Sequence, residues 1–386
     1  FFSAVAASNP AMSVKKRRST SWRRVTRSAA SRPAALRCDG PWRLVPAGAP
    51  ASHVAPGATA TVRRAGGQWH IGGRSLSAAH VHLEPAGADA LHWDGQAWRG
   101  AARLVPVGPD AFHVVNYVDL EDYLAGVLAK ELYAHWHPAT YRAQAVAART
   151  YALYKITRVG AGRTYDVTAT QADQVYGGAG AETSKARAAA RATRGWVLAD
   201  GPPGRERIFP AYYSAANGGH VSPAAVLGPA PDVAALAGGQ PDPDWTAFPQ
   251  ARWGPVRVQK RRVLAALAAR YPQAGAWSAL RTIRTVQRTD FGRPVSVEAV
   301  SPSGRTLRVR AEALRVALLR AGVSGLRSMH CRVDDAGGDI VFRDGRGFGH
   351  GVGLSQWGAE AKARRGWSAR RILAFYYPGA RIFRAY

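Results

Sequence analysis

Glu131 is the residue whose type and position point most directly to chemistry. Helical periodicity runs over residues 120–132, where Leu120, Leu124 and Leu128 fall on one stripe of the helix. Glu131 follows Leu120 by close to three turns, so its carboxyl group is expected to point with the leucines. Desolvation would raise the pKa of such a group above about 4.3 and keep it protonated, as glycoside cleavage requires of its general acid.

The same periodicity allows a structural interpretation of Glu131. Its carboxylate lies one turn from the helix end, where it could bend out to water or pair with an arginine of the next helix. Glu121 and Asp122 lie at the helix start, where acidic side chains complement the helix dipole, and they need no catalytic role. Periodicity alone leaves these alternatives open.

The elements around this helix predict an α+β fold. Short alternating runs between residues 41 and 115 indicate strands, and Pro138 begins a second helix that continues to about Arg158. Residues 282–310 alternate as a β-meander, with a turn at Pro302-Ser303-Gly304. We therefore expect a catalytic helix pair packed on short, mostly antiparallel strands, with an additional β-rich subdomain.

The charge of the chain is strongly basic, with a formal net charge of +28. Such a charge suits nucleic acid, an anionic membrane or an anionic wall polymer. The basic N-terminal segment has Trp22 as its only interleaved aromatic apart from the first two residues, and no nucleic-acid motif follows, so we expect no nucleic-acid partner. No apolar run is long enough to form a transmembrane segment.

Five blocks of the sequence are together similar to one known family. They occupy residues 114–131, 143–152, 173–178, 211–219 and 347–359. In this order, and from about Trp98 to the end of the sequence, they resemble the SpoIID/LytB family. Residues before Trp98 are not covered by the resemblance.

The resemblance implies a peptidoglycan lytic transglycosylase, a lyase of murein remodelling. Glu131 matches the family's general acid, which protonates the oxygen between MurNAc and GlcNAc and then acts as base while the MurNAc 6-hydroxyl closes an anhydro ring. One carboxylate suffices, whereas a hydrolase uses a pair. The predicted substrate-binding residues are Arg149, Tyr213, Ser214, Asn217, Gly218, Gly219, His350, Gln356 and Trp357.

The sequence departs from the family pattern in two places. Leu132-Tyr133 stand where Met-Pro is usual, a change that preserves bulk and should not remove the acid. Some members bind zinc through Cys and His, but residues 166–176 contain neither, so we expect no metal and no cofactor. His135 and His137 are interpreted as exposed histidines of a turn.

The resemblance also gives domain boundaries and a location. We expect a basic disordered arm or targeting remnant at 1–40, a small β-rich region at 41–97, and the catalytic region at 98–386, with an inserted loop and meander at 228–345. The family acts in the cell envelope or periplasm, although residues 1–40 contain no clear export signal. Peptidoglycan strands are the expected partner. The alternative function is a non-catalytic wall-binding protein or a modifier of a cell-wall amidase.

Overall fold

The computed structural model of the chain describes residues 23–30, 33–159, 163–202, 204–229 and 232–386. It contains two compact units. The first extends to Leu198 and includes Ile382–Tyr386, and the second comprises Ala199–Arg381. A strand before the predicted boundary at residue 98 pairs with one after it, with Leu83 opposite Ala102.

The strands up to residue 200 are β1 (Arg23–Ala30), β2 (Ala34–Cys38), β3 (Trp42–Pro46), β4 (Ser52–Val54), β5 (Thr59–Ala65), β6 (Gln68–Ile71), β7 (Arg74–Leu76), β8 (Val81–Pro85), β9 (Leu91–Trp93), β10 (Gln96–Trp98), β11 (Ala101–Pro106), β12 (Phe112–Val118), β13 (Val167–Thr168) and β14 (Trp196–Asp200). The helices are α1 (Leu120–Glu131), α2 (Pro138–Val159), α3 (Ser184–Ala192), α4 (Lys260–Ala268), α5 (Pro272–Gly275), α6 (Ala311–Arg320), α7 (Gln356–Arg364) and α8 (Ala369–Tyr376).

Two sheets precede the helix pair in the first unit. One has the strand order β13-β1-β12-β11-β8-β3-β4 and the other β10-β9-β2-β5-β6-β7. Their buried side chains alternate along the strands, as in β3 with Trp42 and Leu44. Trp69 of one sheet meets Phe112 of the other edge-to-face, with ring centroids 5.3 Å apart, so this contact belongs to the core between the sheets.

The predicted disordered arm at residues 1–40 is wrong where the structure describes it. β1 pairs antiparallel with β12 and parallel with β13, while β2 pairs with β5. Leu36 and Cys38 of β2 are buried. Backbone hydrogen bonds to a neighbouring strand do not depend on side-chain charge, so an arginine-rich composition did not prevent pairing. Residues 1–22, 31 and 32 lie outside the described residues.

The helix pair follows β12 directly. Asp119 caps α1 by accepting a hydrogen bond from the Glu121 N–H at 2.8 Å, and extended Leu132 ends it. The predicted helix at 120–132 is confirmed to within one residue. A side chain at Gly126 would strike the Tyr176 ring and the Gly178 carbonyl oxygen. Glycine therefore lets α1 lie directly against the segment that follows β13.

The remaining strands are β15 (Arg207–Ile208), β16 (Tyr213–Ser214), β17 (Arg252–Trp253), β18 (Val256–Gln259), β19 (Thr282–Arg288), β20 (Pro294–Val300), β21 (Thr306–Arg310), β22 (Arg332–Ala336), β23 (Asp339–Arg343), β24 (Gly345–Arg346), β25 (Leu354–Ser355) and β26 (Arg381–Arg384). The predicted meander is confirmed as the antiparallel sheet β19-β20-β21. Together with the helices, these sheets confirm the α+β class.

The core of the second unit lies between helices and this meander. Leu314 and Leu318 of α6 pack in one cluster with Leu267 of α4, Val297 of β20 and Phe342 of β23. The helix α6 was not predicted from the sequence. Among the described helices, none is both long and apolar enough to cross a bilayer.

Candidate active site

The carboxyl group of Glu131 lies at the C-terminal end of α1, half-buried. The backbone N–H of Val175 donates a hydrogen bond to Glu131 Oε1 at 3.1 Å. The negative end of the helix dipole disfavours an anion here, whereas the Val175 N–H stabilises one. The hydrogen bond from the Val175 backbone thus holds the carboxyl group in place. The helix dipole favours its protonated form, and the Val175 N–H favours its ionised form.

The segment that carries Val175 is anchored by its neighbours in sequence. Asp173 accepts hydrogen bonds from the Thr168 N–H at 2.9 Å, the Tyr151 hydroxyl at 3.0 Å and the Lys155 ammonium at 2.9 Å. Burial raises the pKa of Asp173, but these hydrogen bonds and the Lys155 charge outweigh it and hold the pKa below its usual value. Asp173 is therefore an ionised anchor rather than a second acid.

Gln174 fixes the same segment against both helices. The Tyr123 hydroxyl donates to Gln174 Oε1 at 3.1 Å, and Gln174 Nε2 donates to the Ala148 carbonyl at 3.2 Å. Burial raises the pKa of Tyr123 well above its usual value, so this phenol stays neutral and donates. The position of the Val175 N–H at Glu131 consequently depends on α1 and α2 together.

The turn after Glu131 presents an aromatic surface. The Tyr133 side chain is 54% exposed, and its ring centroid lies 5.3 Å from that of the buried Trp136. Lys185 Nζ donates to the Ala134 carbonyl at 2.6 Å and to the Trp136 carbonyl at 2.8 Å, and the Tyr141 hydroxyl donates to the Tyr133 carbonyl at 3.1 Å. These bonds hold an exposed ring two residues from the acid.

Arg149, which the sequence predicts to bind substrate, pairs with an acid inside the first unit. Its guanidinium is fully buried and forms a two-pronged pair with Glu121, at 3.0 Å from Nε to Oε1 and 2.6 Å from Nη2 to Oε2. Nη2 also donates to the Ala190 carbonyl at 3.2 Å, and Nη1 donates to the Trp196 carbonyl at 3.1 Å. The arginine joins α1, α2 and the end of α3, so its role is structural.

Gln144 is a candidate that the sequence did not single out. It is fully buried, and neither its Oε1 nor its Nε2 has a hydrogen-bond partner within the described residues. It lies three residues after Tyr141 and four before Ala148, which places it on the α2 face that holds the turn after Glu131 and the Gln174 segment. An unsatisfied buried amide costs about 1–3 kcal/mol, so its presence calls for an explanation.

The other predicted site residues belong to the second unit, where the structure brings their two blocks together. β16 pairs parallel with β25, with Tyr213 opposite Leu354 and Ser214 opposite Ser355. The Gly351 N–H donates to Ser214 Oγ at 3.1 Å. The blocks at 211–219 and 347–359 therefore form one cluster.

Asn217 and its glycine turn are fixed by a buried polar network. Asn217 Nδ2 donates to Asp242 Oδ2 at 2.8 Å, and the Gly219 N–H donates to Asn217 Oδ1 at 3.1 Å. Lys362 binds the other oxygen of Asp242 at 2.6 Å. Gly218 has φ of +83°, a conformation that favours glycine. Asn217 thus shapes the turn, and its contact with sugar stays a prediction.

His350 is also structural. One ring nitrogen donates to the Tyr213 carbonyl, and Nδ1 accepts from the Val352 N–H at 3.0 Å. Burial lowers the pKa of His350 to about 4, Arg293 and Arg315 lower it further, and Glu312 opposes them. The imidazole is therefore neutral near neutral pH and joins the two blocks through their backbones, and its binding of substrate stays a prediction.

Gln356 and Trp357 begin α7. Gln356 is buried, whereas the half-buried Trp357 ring packs against Phe248 with centroids 5.6 Å apart.

His135 and His137 are both exposed, as interpreted from the sequence. In the described ranges, no group of three or more His, Cys, Asp or Glu side chains is placed to hold a metal ion.

Comparisons with known proteins give a family match, and all but its last residue lies in the first unit. Residues 109–199, which include Glu131 and Val175, match the family model described as SpoIID, stage II sporulation protein. The chain is 28% identical over 300 residues to an uncharacterized protein of Brachyspira hyodysenteriae, covering 76% of this chain and 74% of that protein.

Two relatives from Bacillus subtilis have descriptive names. The amidase enhancer is 28% identical over 305 residues, which is 67% of this chain but 40% of that protein. Stage II sporulation protein D is 26% identical over 303 residues, 73% of this chain and 79% of that protein. The family match over the helix pair, together with these relatives, supports a relationship of the chain to the SpoIID family.

Proposed function

We propose that this protein is a lytic transglycosylase of the cell envelope that cleaves the MurNAc–GlcNAc bond of peptidoglycan, with Glu131 as its acid and base. The observation that carries the proposal is the hydrogen bond from the Val175 N–H to the Glu131 carboxyl at the end of α1. The match to the SpoIID family model supports the same residue, since the matched range spans it.

In the proposed reaction, protonated Glu131 gives its proton to the glycosidic oxygen while the bond from that oxygen to MurNAc C1 breaks. The resulting carboxylate, steadied by the Val175 N–H, takes the proton of the MurNAc 6-hydroxyl as its oxygen bonds to C1. The products are a 1,6-anhydro end and a free GlcNAc hydroxyl, and no water is consumed. The nearby Asp173 is fully engaged by its anchors, which suits a reaction with one carboxylate.

One further feature of the first unit supports substrate binding near Glu131. The exposed Tyr133 ring offers a face on which a sugar ring can stack. In the second unit, the half-buried Tyr213 and Trp357 rings and the Ser214, Gly218, Gly219 and Gln356 cluster are proposed to bind the glycan.

The test is digestion of purified glycan strands, both peptide-bearing and denuded, by the wild type and by Glu131→Gln, with mass spectrometry of the products. Glu84→Gln is the matched control, because it makes the same chemical change at a surface ion pair of the first unit. We expect anhydro-MurNAc ends from the wild type and the control only. Equal cleavage by Glu131→Gln would refute the proposal.

A second candidate is a non-catalytic modifier of a cell-wall amidase, and the name of the Bacillus subtilis amidase enhancer favours it. In that case the protein would leave glycan strands intact but accelerate an added amidase, and Glu131→Gln would accelerate it equally. The two functions are therefore separated by the same pair of variants.

A further inference from the structure

A basic cavity of about 770 Å³ lies in the second unit, lined by residues 252–255, 257, 341 and 343–346. Four arginines line it, Arg252, Arg257, Arg343 and Arg346, against one acid, Asp344. An excess of three positive charges in a concave site attracts anions.

Two of the four arginines have their charge balanced by nearby acids. Arg343 Nε lies 2.7 Å from Asp334 Oδ2, and Arg257 lies 3.5 Å from Asp339. Asp344 in turn faces Arg332 at 3.6 Å. Arg252 and Arg346 are the other two arginines of the lining. Neither forms an ion pair with any residue that the structure describes.

Arg252 and Arg346 lie directly opposite each other, because β17 and β24 pair antiparallel with these residues in register. Side chains at opposed positions of a ladder lie on the same face, and like charges placed there repel. The Arg252 guanidinium lies 5.3 Å from the centre of the Trp245 ring, a contact that orients the cation without neutralising it. An oxyanion between the two guanidiniums would turn this repulsion into a pair of attractions.

The backbone does not let the two arginines separate. The indole of Trp253 lies against Gly345, where any side chain would clash with it, and Trp253 Nε1 donates to the Gly347 carbonyl at 3.1 Å. The Arg346 N–H donates to the His330 carbonyl at 2.9 Å. The like-charged pair is therefore held by packing and hydrogen bonds on either side.

We infer that Arg252 and Arg346 together bind a carboxylate of the cell-wall glycan. This inference rests on the proposed function, which supplies the polymer. Guanidinium groups bind carboxylates through two parallel hydrogen bonds, and two of them can bracket one such group. On denuded strands the carboxylate belongs to the lactyl ether of MurNAc, and on substituted strands it belongs to the stem peptide. The pair holds the strand and takes no part in bond cleavage.

The test measures binding of the full chain to denuded and to peptide-bearing glycan strands, each with free and with amidated carboxylates. The variant is Arg252→Gln with Arg346→Gln, and the matched control is Arg261→Gln with Arg270→Gln, which removes the same charge from exposed positions on α4 and in the turn after it. We expect the variant to bind carboxylate strands about tenfold more weakly than the control does. Amidation should remove the difference, and the strand type that shows the larger loss identifies the source of the carboxylate.

Three outcomes would overturn the inference: equal binding by variant and control, a difference that survives amidation, or a loss confined to phosphodiester wall polymers. The melting temperature supplies a check on folding, since removal of two opposed like charges should leave it unchanged or higher. Glu131→Gln should bind normally without cleaving. If the wild type binds through the pair but cleaves nothing, the proposed activity fails while the carboxylate site stands.

Discussion

Glu131 and Val175, 44 residues apart in sequence, meet through a hydrogen bond of 3.1 Å between a backbone N–H and a carboxyl oxygen. This contact requires α1 to lie close to the segment that Asp173 and Gln174 anchor. The acid is consequently positioned by the core of the first unit and not by its own helix alone.

Gly126→Ala should weaken both folding and cleavage. Alanine favours a helix by about 1 kcal/mol over glycine, but here its methyl group would strike the Tyr176 ring and the Gly178 carbonyl. We expect a net loss of about 1–3 kcal/mol in the free energy of unfolding, measured by denaturant titration. Gly108→Ala, where nothing lies within 4 Å, should change stability by less than about 0.5 kcal/mol. A stabilised Gly126→Ala protein would contradict the close packing of α1.

Arg149→Met should destabilise the protein by about 3–5 kcal/mol, because it leaves the Glu121 carboxylate buried without its partner. Adding Glu121→Gln to the same chain should recover part of the loss. The measurement is the urea midpoint of the two variants. A stable Arg149→Met protein with a raised KM would instead restore the substrate-binding role predicted from the sequence.

Gln144→Met should leave the free energy of unfolding unchanged or increase it, since an amide without partners among the described residues is replaced by an apolar side chain of similar size. Cleavage of glycan should fall if the amide binds substrate. Gln174→Met is the comparison, because Gln174 forms two hydrogen bonds and should lose about 1–3 kcal/mol. Full activity in Gln144→Met would exclude a role in binding.

Tyr133→Ala should raise KM for glycan about threefold to tenfold with kcat unchanged, because the ring is exposed and positioned beside the acid. Tyr133→Phe keeps the stacking face and should behave like the wild type. Steady-state kinetics on denuded strands separate the two constants. A fall in kcat alone would instead place Tyr133 in the chemistry.

Acid should destabilise the protein through the buried His330 and the half-buried His350. Burial, with Arg293 and Arg346, lowers the pKa of His330 to about 3, and the pKa of His350 is lowered to about 4. The unfolded chain, with histidine pKa values near 6.5, binds more protons in this range. Stability is therefore fully present above about pH 6.5 and is lost as pH falls toward 4 and then 3.

The measurement is the melting temperature between pH 7 and pH 4. His330→Gln removes one of the two titrations and should flatten the decline, whereas substitution of the exposed His53 to Gln should not. An unchanged slope in His330→Gln would show that His330 does not contribute to the acid sensitivity.

Local patterns predicted α1 and the meander well. Asp119 marks the start of α1, and the leucine stripe marks its buried face. Apolar and polar residues alternate along β19–β21, which indicated the strands that pair in the meander. The helix α6 was missed, although Leu314 and Leu318 repeat at helical spacing, because the meander pattern was extended over it. β1 was missed because arginine dominates its composition, and β2 because it lies within the segment interpreted as a basic arm.

Long-range partners could not be predicted from residue types. The sequence places Glu121 at a helix start and Arg149 in the next helix, but nothing in it indicates that they pair over 28 positions. The same holds for Arg252 and Arg346, whose opposition depends on a two-residue ladder between distant loops. Such pairings depend on the whole core, and they decide which charged residues are structural.

The central claim is tested most directly by digesting denuded glycan in ¹⁸O-labelled water with the wild type and with Glu131→Gln, followed by mass spectrometry of the new ends. The account predicts anhydro-MurNAc ends without ¹⁸O from the wild type, and no new ends from Glu131→Gln. Reducing ends that carry ¹⁸O, or undiminished cleavage by Glu131→Gln, would contradict it.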